Sequence, residues 1–91
     1  MFKKLIKIIK KRIKSKNKES YCYNLSISKQ LYKKKIIEEA LEFILELKKN
    51  NKKRIINEFC DLLFHSLIAI SMYKIKYKNL CIELKKRNKK K

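Results

Sequence analysis

The chain has 91 residues, with 27 Lys and Arg against eight Asp and Glu, and it contains neither glycine nor proline. This length makes a single small domain, residues 1–91, whose core is thin enough to favour a partner subunit. Missing glycines exclude dinucleotide fingerprints and P-loops, missing turn residues disfavour all-β and Rossmann-like folds, and no apolar run approaches the roughly 20 residues of a membrane span.

Phe2, Leu5, Ile6, Ile9 and Ile13 recur at helical spacing with lysines between them. This predicts an amphipathic first helix packed on the core. A basic helix with one apolar face also suits a membrane surface, but its lysines interrupt the apolar residues too often for a secretory signal. Residues 15–28, "SKNKESYCYNLSIS", lose the periodicity and read as a loop or irregular connector. A second helix is expected over about 29–49, ending at Asn50-Asn51, residues that tolerate left-handed backbone. A third follows over about 52–73 and a fourth over about 77–88, and residues 85–91 form a solvated, frayed basic tail. The short turn after the second helix makes it an antiparallel neighbour of the third. The expected fold class is therefore all-α, resembling a four-helix bundle around an antiparallel central hairpin.

A net charge of +19 invites a nucleic-acid-binding reading, a basic helical protein. Against it, only three of the basic residues are Arg, the side chain that bidentate base and phosphate recognition favours. Lys, Ile, Asn and Tyr all have AT-rich codons, so an AT-rich genome yields this bias without selection for binding. Cys22, Cys60 and Cys81 have no metal-ligand spacing and read as reduced thiols of a cytoplasmic protein.

The acids are not spread out to balance the lysines. Six of the eight lie between residues 38 and 61, leaving that window near −1 while the rest of the chain carries about +20. At 100° per residue, Glu39, Glu42 and Glu46 fall within about 60° of one another. Ile37, Ala40, Leu41, Ile44 and Leu47 take the opposite arc. On the third helix Glu58, Asp61 and His65 share a face. A hairpin turning at 50–51 sets Glu42 and Glu58 level and brings the two acidic faces together. Carboxylates converging there repel unless they are protonated or bridged by cations, and an all-oxygen ligand set favours a hard ion such as Mg²⁺. The competing reading is exposed glutamates paired with lysines at i, i+4.

The motif Glu38-Glu39-Ala40-Leu41-Glu42, then Glu58-Phe59-Cys60-Asp61, resembles the EExxE…ExxD signature of the all-α NTP pyrophosphohydrolases, the MazG-like superfamily. Ser20-Tyr21-Cys22, Ile37-Glu38-Glu39-Ala40, Asp61-Leu62-Leu63-Phe64-His65 and the closing "LKKRN" resemble its phosphoribosyl-ATP pyrophosphatase branch, over residues 2 to 88. The resemblance implies a MazG-type fold completed by dimerisation or higher homo-oligomerisation. It also implies Mg²⁺-dependent hydrolysis of phosphoribosyl-ATP to phosphoribosyl-AMP and pyrophosphate, the second step of histidine biosynthesis. The chain is expected in the cytoplasm, with no specific nucleic acid and no membrane among its partners. Carried over by position, Glu39, Glu42, Glu58 and Asp61 are the metal ligands. Glu38 and Glu39 are the catalytic carboxylates, and Ser20, Tyr21 and His65 contact the substrate. A house-cleaning NTP or dNTP pyrophosphohydrolase uses the same chemistry and is the alternative. The chain departs from the family pattern at Ile37 and Lys74, where glycine is usual, and in the connector after Tyr21.

Overall fold

A computed structural model describes residues 1–89. Its helices are α1 (Phe2–Ser15), α2 (Tyr21–Ser26), α3 (Lys29–Lys49), α4 (Lys52–Ser71) and α5 (Tyr77–Lys89), and no strand occurs among the described residues. The all-α expectation holds. The connector over 15–28 is the point of difference, because it contains α2. Ser20 begins that helix by accepting a hydrogen bond from the Tyr23 amide, and Ser28 does the same for α3 through the Leu31 amide. The end of the predicted basic tail, residues 90–91, lies outside the described residues.

Helices α3 and α4 form the antiparallel hairpin and make the most extensive contact in the fold. Asn50 takes φ 59° and ψ 34°, a left-handed cap whose amide donates to the carbonyls of Glu46 and Leu47. Asn51 then caps α4 by accepting from the Arg54 amide. Two asparagines thus perform the turn that glycine commonly performs.

The core lies where α1 and α2 cross the hairpin. Ile6 and Ile9 from α1, Cys22 and Leu25 from α2, Tyr32 from α3 and Leu67 and Ile68 from α4 are buried together. Burying each of the larger aliphatic side chains contributes about 1.5–3 kcal/mol. The apolar stripe of α1 therefore faces protein, as the helical spacing predicts, and Lys10 Nζ ties the helix to the Ile75 carbonyl at 2.9 Å. Tyr77 and Leu80 of α5 pack against the edge of this core. No described helix is long and apolar enough to cross a membrane.

Away from this core the hairpin is turned inside out. Glu39, Glu46, Glu58 and His65 are buried, while Ile37, Leu41, Ile44, Ile56 and Phe59 stand between 46% and 65% exposed. The acidic faces of α3 and α4 meet each other, and their apolar faces point outward.

Candidate active site

Helical spacing on α3 and α4 sets the site. Glu58 and Asp61 are one turn apart on α4, and Glu39 faces them from α3. Each offers a carboxylate oxygen, and the three oxygens lie within 4.8 Å of one another. Glu39 and Glu58 are buried, with Glu39 Oε2 and Glu58 Oε2 lacking any hydrogen-bond partner. An ionised carboxylate buried without a partner is costly, so two of them side by side favour either protonation or a compensating positive charge.

The electrostatics carry the same sign. The Glu58 carboxyl titrates above its ordinary value, chiefly because it is buried and then because of the neighbouring Glu42 side chain. Asp61 adds to the rise and an Asn57 amide bond at 3.4 Å opposes it. Glu42 thus neighbours Glu58 across the hairpin. Glu42 itself is exposed and flanks the three-oxygen cluster.

The remaining acids of the hairpin have other partners. Glu46, on the same arc of α3, receives Arg54 Nε at 3.0 Å, which matches its charge on the turn side of the cluster. Glu38 is partly exposed and pairs with Lys35 Nζ at 3.6 Å, a solvent-screened contact. It stands beside the cluster and is not one of its three members.

His65 and Tyr21 close one side. His65 lies one turn past Asp61, its Nδ1 is 2.7 Å from the Asp61 carbonyl, and its Nε2 is 2.6 Å from Tyr21 Oη. The phenol meets the imidazole edge-on, with ring centroids 5.6 Å apart. Tyr21 sits at the start of α2, half exposed, where the Ser20 cap fixes its backbone. Ser20 therefore serves the local fold, and it also lines a cleft of about 820 Å³ between α1 and residues 17–22. The sequence signal for this arrangement was present in the Ser20 cap position, but the surrounding Asn, Ser and Tyr masked it.

An oxygen-only cradle of this kind fits a small hard divalent cation in both donor type and charge. The lone histidine is engaged at both nitrogens, and the three thiols are free, with Cys22 buried in the core. Softer metals find no ligand set here among the described residues.

Comparison with known proteins gives a consistent result. Residues 2–88 match the family model described as phosphoribosyl-ATP pyrophosphohydrolase. The chain is 35% identical over 88 residues to a phosphoribosyl-ATP pyrophosphatase of Pyrobaculum neutrophilum, covering 96% of this chain and 94% of that one. It is 39% identical over 71 residues to that of Clostridium acetobutylicum, covering 78% and 63%. It is also 34% identical over 84 residues to a histidine biosynthesis bifunctional protein of Prochlorococcus marinus, covering 91% of this chain and 37% of that protein.

Proposed function

The chain belongs to the phosphoribosyl-ATP pyrophosphohydrolase family, and from that premise we propose that it hydrolyses phosphoribosyl-ATP to phosphoribosyl-AMP and pyrophosphate in histidine biosynthesis. The observation that carries this reading is the cluster of Glu39, Glu58 and Asp61 oxygens within 4.8 Å, two of them from buried carboxylates with an unsatisfied atom.

Glu39, Glu58 and Asp61 are the residues to hold Mg²⁺, with Glu42 as a fourth carboxylate from the flank. Held there, such an ion would supply charge neutralisation for the polyphosphate and a template for in-line displacement. The protein's own groups do the rest. The hairpin fixes the carboxylates before substrate arrives, so no reorganisation is needed at the reaction. Lys35 exchanges Glu38 for a phosphate oxygen at little cost, since exposed ion pairs contribute about 0–1 kcal/mol. Glu38 is then free to take the proton of the attacking water through Oε2, while Glu39 orients it. Tyr21, held by His65, positions the substrate at the open side.

The exposed apolar stripe of Ile37, Leu41, Ile44, Ile56 and Phe59 is the surface for a second copy of the chain, completing as a homodimer the core that one copy leaves open. Free thiols and membership of a biosynthetic family support a cytoplasmic setting.

The test is pyrophosphate release from phosphoribosyl-ATP with Mg²⁺, wild type beside Glu39→Gln. Loss of activity in the variant with its fold retained is expected. Faster turnover of any dNTP than of phosphoribosyl-ATP would assign the chain to nucleotide house-cleaning instead.

A further inference from the structure

A wide cleft lies outside the acidic cluster. It is the cleft of about 820 Å³ between α1 and the start of α2, bordered by Lys11, Arg12, Ser15, Ser20, Tyr21 and Phe64. Lys11 and Arg12 are exposed, and among the described residues neither forms an ion pair. Ser15 Oγ is tethered to the Arg12 carbonyl at 2.6 Å and accepts from the Asn17 amide, which fixes the wall of the cleft where α1 ends. One carboxylate, Glu19, also borders the cleft, so the lining retains an excess of positive charge.

The cleft and the acidic cluster are joined through one residue. Tyr21 lines the cleft, and its hydroxyl bonds to His65, which in turn bonds to Asp61. A ligand spanning both sites passes over this tyrosine. The two ends differ in chemistry: carboxylates suited to a cation at one end, and two free cations suited to an anion at the other.

A nucleoside triphosphate alone carries its phosphates as one chain, which the acidic cluster and its metal would hold. Phosphoribosyl-ATP carries a second, separate phosphate on its phosphoribosyl arm. We infer that the cleft between α1 and residues 17–22 is the subsite for that phosphomonoester, with Arg12 and Lys11 as its counter-charges. This rests on the reading of the chain as a phosphoribosyl-ATP hydrolase. It makes α1, which contributes nothing to the acidic cluster, the element that distinguishes this substrate from an ordinary NTP. Arginine gives a phosphate two parallel donors and lysine a point charge, and the Ser20 hydroxyl, which accepts from the Tyr23 amide and keeps its own proton free, can donate to the same group.

The experiment is calorimetric binding of phosphoribosyl-AMP and of AMP to the Mg²⁺-loaded protein, so that the variants need not turn over. Wild type is expected to bind phosphoribosyl-AMP at least tenfold more tightly than AMP. The double variant Lys11→Ala, Arg12→Ala should bring that ratio close to one, and Glu19→Gln should raise it. Lys85→Ala with Lys86→Ala removes the same charge from α5 and should leave the ratio unaltered. A wild-type ratio near one overturns the inference. So does an equal loss for both ligands in the α1 variant, or a ratio that falls as far in the α5 variant. Thermal melts of the α1 variant check its fold, and Arg12→Lys, which keeps the charge, should retain part of the preference. Failure of the parent reading shows separately, as absence of pyrophosphate release by the wild type.

Discussion

Tyr21 and His65, 44 positions apart in sequence, are joined by a hydrogen bond of 2.6 Å between Oη and Nε2. His65 Nδ1 lies 2.7 Å from the Asp61 carbonyl, which can only accept, so the proton of the neutral ring sits on Nδ1 and the phenol donates to Nε2. Burial raises the Tyr21 pKa, with Glu39 and Asp61 adding to the rise against the opposing pull of Lys35. The hydroxyl thus stays protonated with its lone pairs directed away from His65. Tyr21→Phe is expected to reduce kcat/KM about tenfold, mostly through KM, the loss of one positioned hydrogen bond. His65→Gln, which offers a longer and more mobile acceptor, should show a smaller effect of the same kind. A fall in kcat alone would place Tyr21 at the reacting atoms instead.

In the proposed site Glu58 sets stability against metal binding. Glu58→Gln removes the repulsion within the cluster, so the metal-free variant should melt several degrees above wild type. It should lose Mg²⁺-dependent stabilisation and roughly 100-fold or more of its activity, a larger loss than an outer-shell partner causes. Wild type should gain about 2.7 kcal/mol when Mg²⁺ reaches 100 times its Kd. Because the folded-state pKa of Glu58 is raised, its protonated form favours folding. Its contribution is most favourable below the ordinary value of 4.5 and is lost as pH rises through the folded-state value. The advantage of Glu58→Gln over metal-free wild type should therefore be near zero in acid and grow above pH 4.5, read by urea titration at several pH values.

The outward apolar stripe of the hairpin should behave as an interface. Ile44→Glu places a charge where Ile44 is half exposed in one copy. A free surface would tolerate this change within about 0.5 kcal/mol. Sedimentation is expected to show a dimer for wild type and a shift to monomer for the variant, with a lower and concentration-dependent melting temperature. An unchanged sedimentation coefficient would remove the stripe from the assembly.

Lys74 occupies a left-handed conformation, φ 56°, as do Lys16 and Asn50. A side chain with a Cβ costs roughly 1–2 kcal/mol there, and glycine avoids this at the expense of a freer unfolded chain. Lys74→Gly should therefore stabilise the protein by about 0.5–1 kcal/mol. Asn50→Gly should give less, because asparagine already tolerates this region. Chemical denaturation of the two variants separates the cases.

Much of this was legible in the sequence, because helical periodicity and hairpin register are local properties. Asn50-Asn51 announced the turn, and the spacing of Glu42 from Glu58 made them neighbours across it. Ile37 and Lys74 stand where the family pattern expects glycine, and they differ physically. Lys74 sits at a positive φ, whereas Ile37 lies within α3 with its side chain outward. The sequence hid whatever depends on side-chain choice among equals. Six acids in one window gave no sign that Glu46 would take Arg54, that Glu38 would take Lys35, or that Glu39 and Glu58 would be left unsatisfied. Helix α2 was hidden because six residues are too few to display a period. The cleft on α1 was hidden because Lys11 and Arg12 looked like any other pair in a run of cations.

The inside-out hairpin also bears on how this chain persists. Any drift that favoured stability alone would first exchange Glu39 and Glu58 for amides, since those substitutions relieve the cost of two unsatisfied buried carboxylate oxygens and lose at most the long Asn57 contact to Glu58. A sequence biased so heavily toward lysine and isoleucine elsewhere still holds these carboxylates together in its interior. Holding them there without a cation is thermodynamically uphill, and an ion bound in the proposed site would reverse that slope.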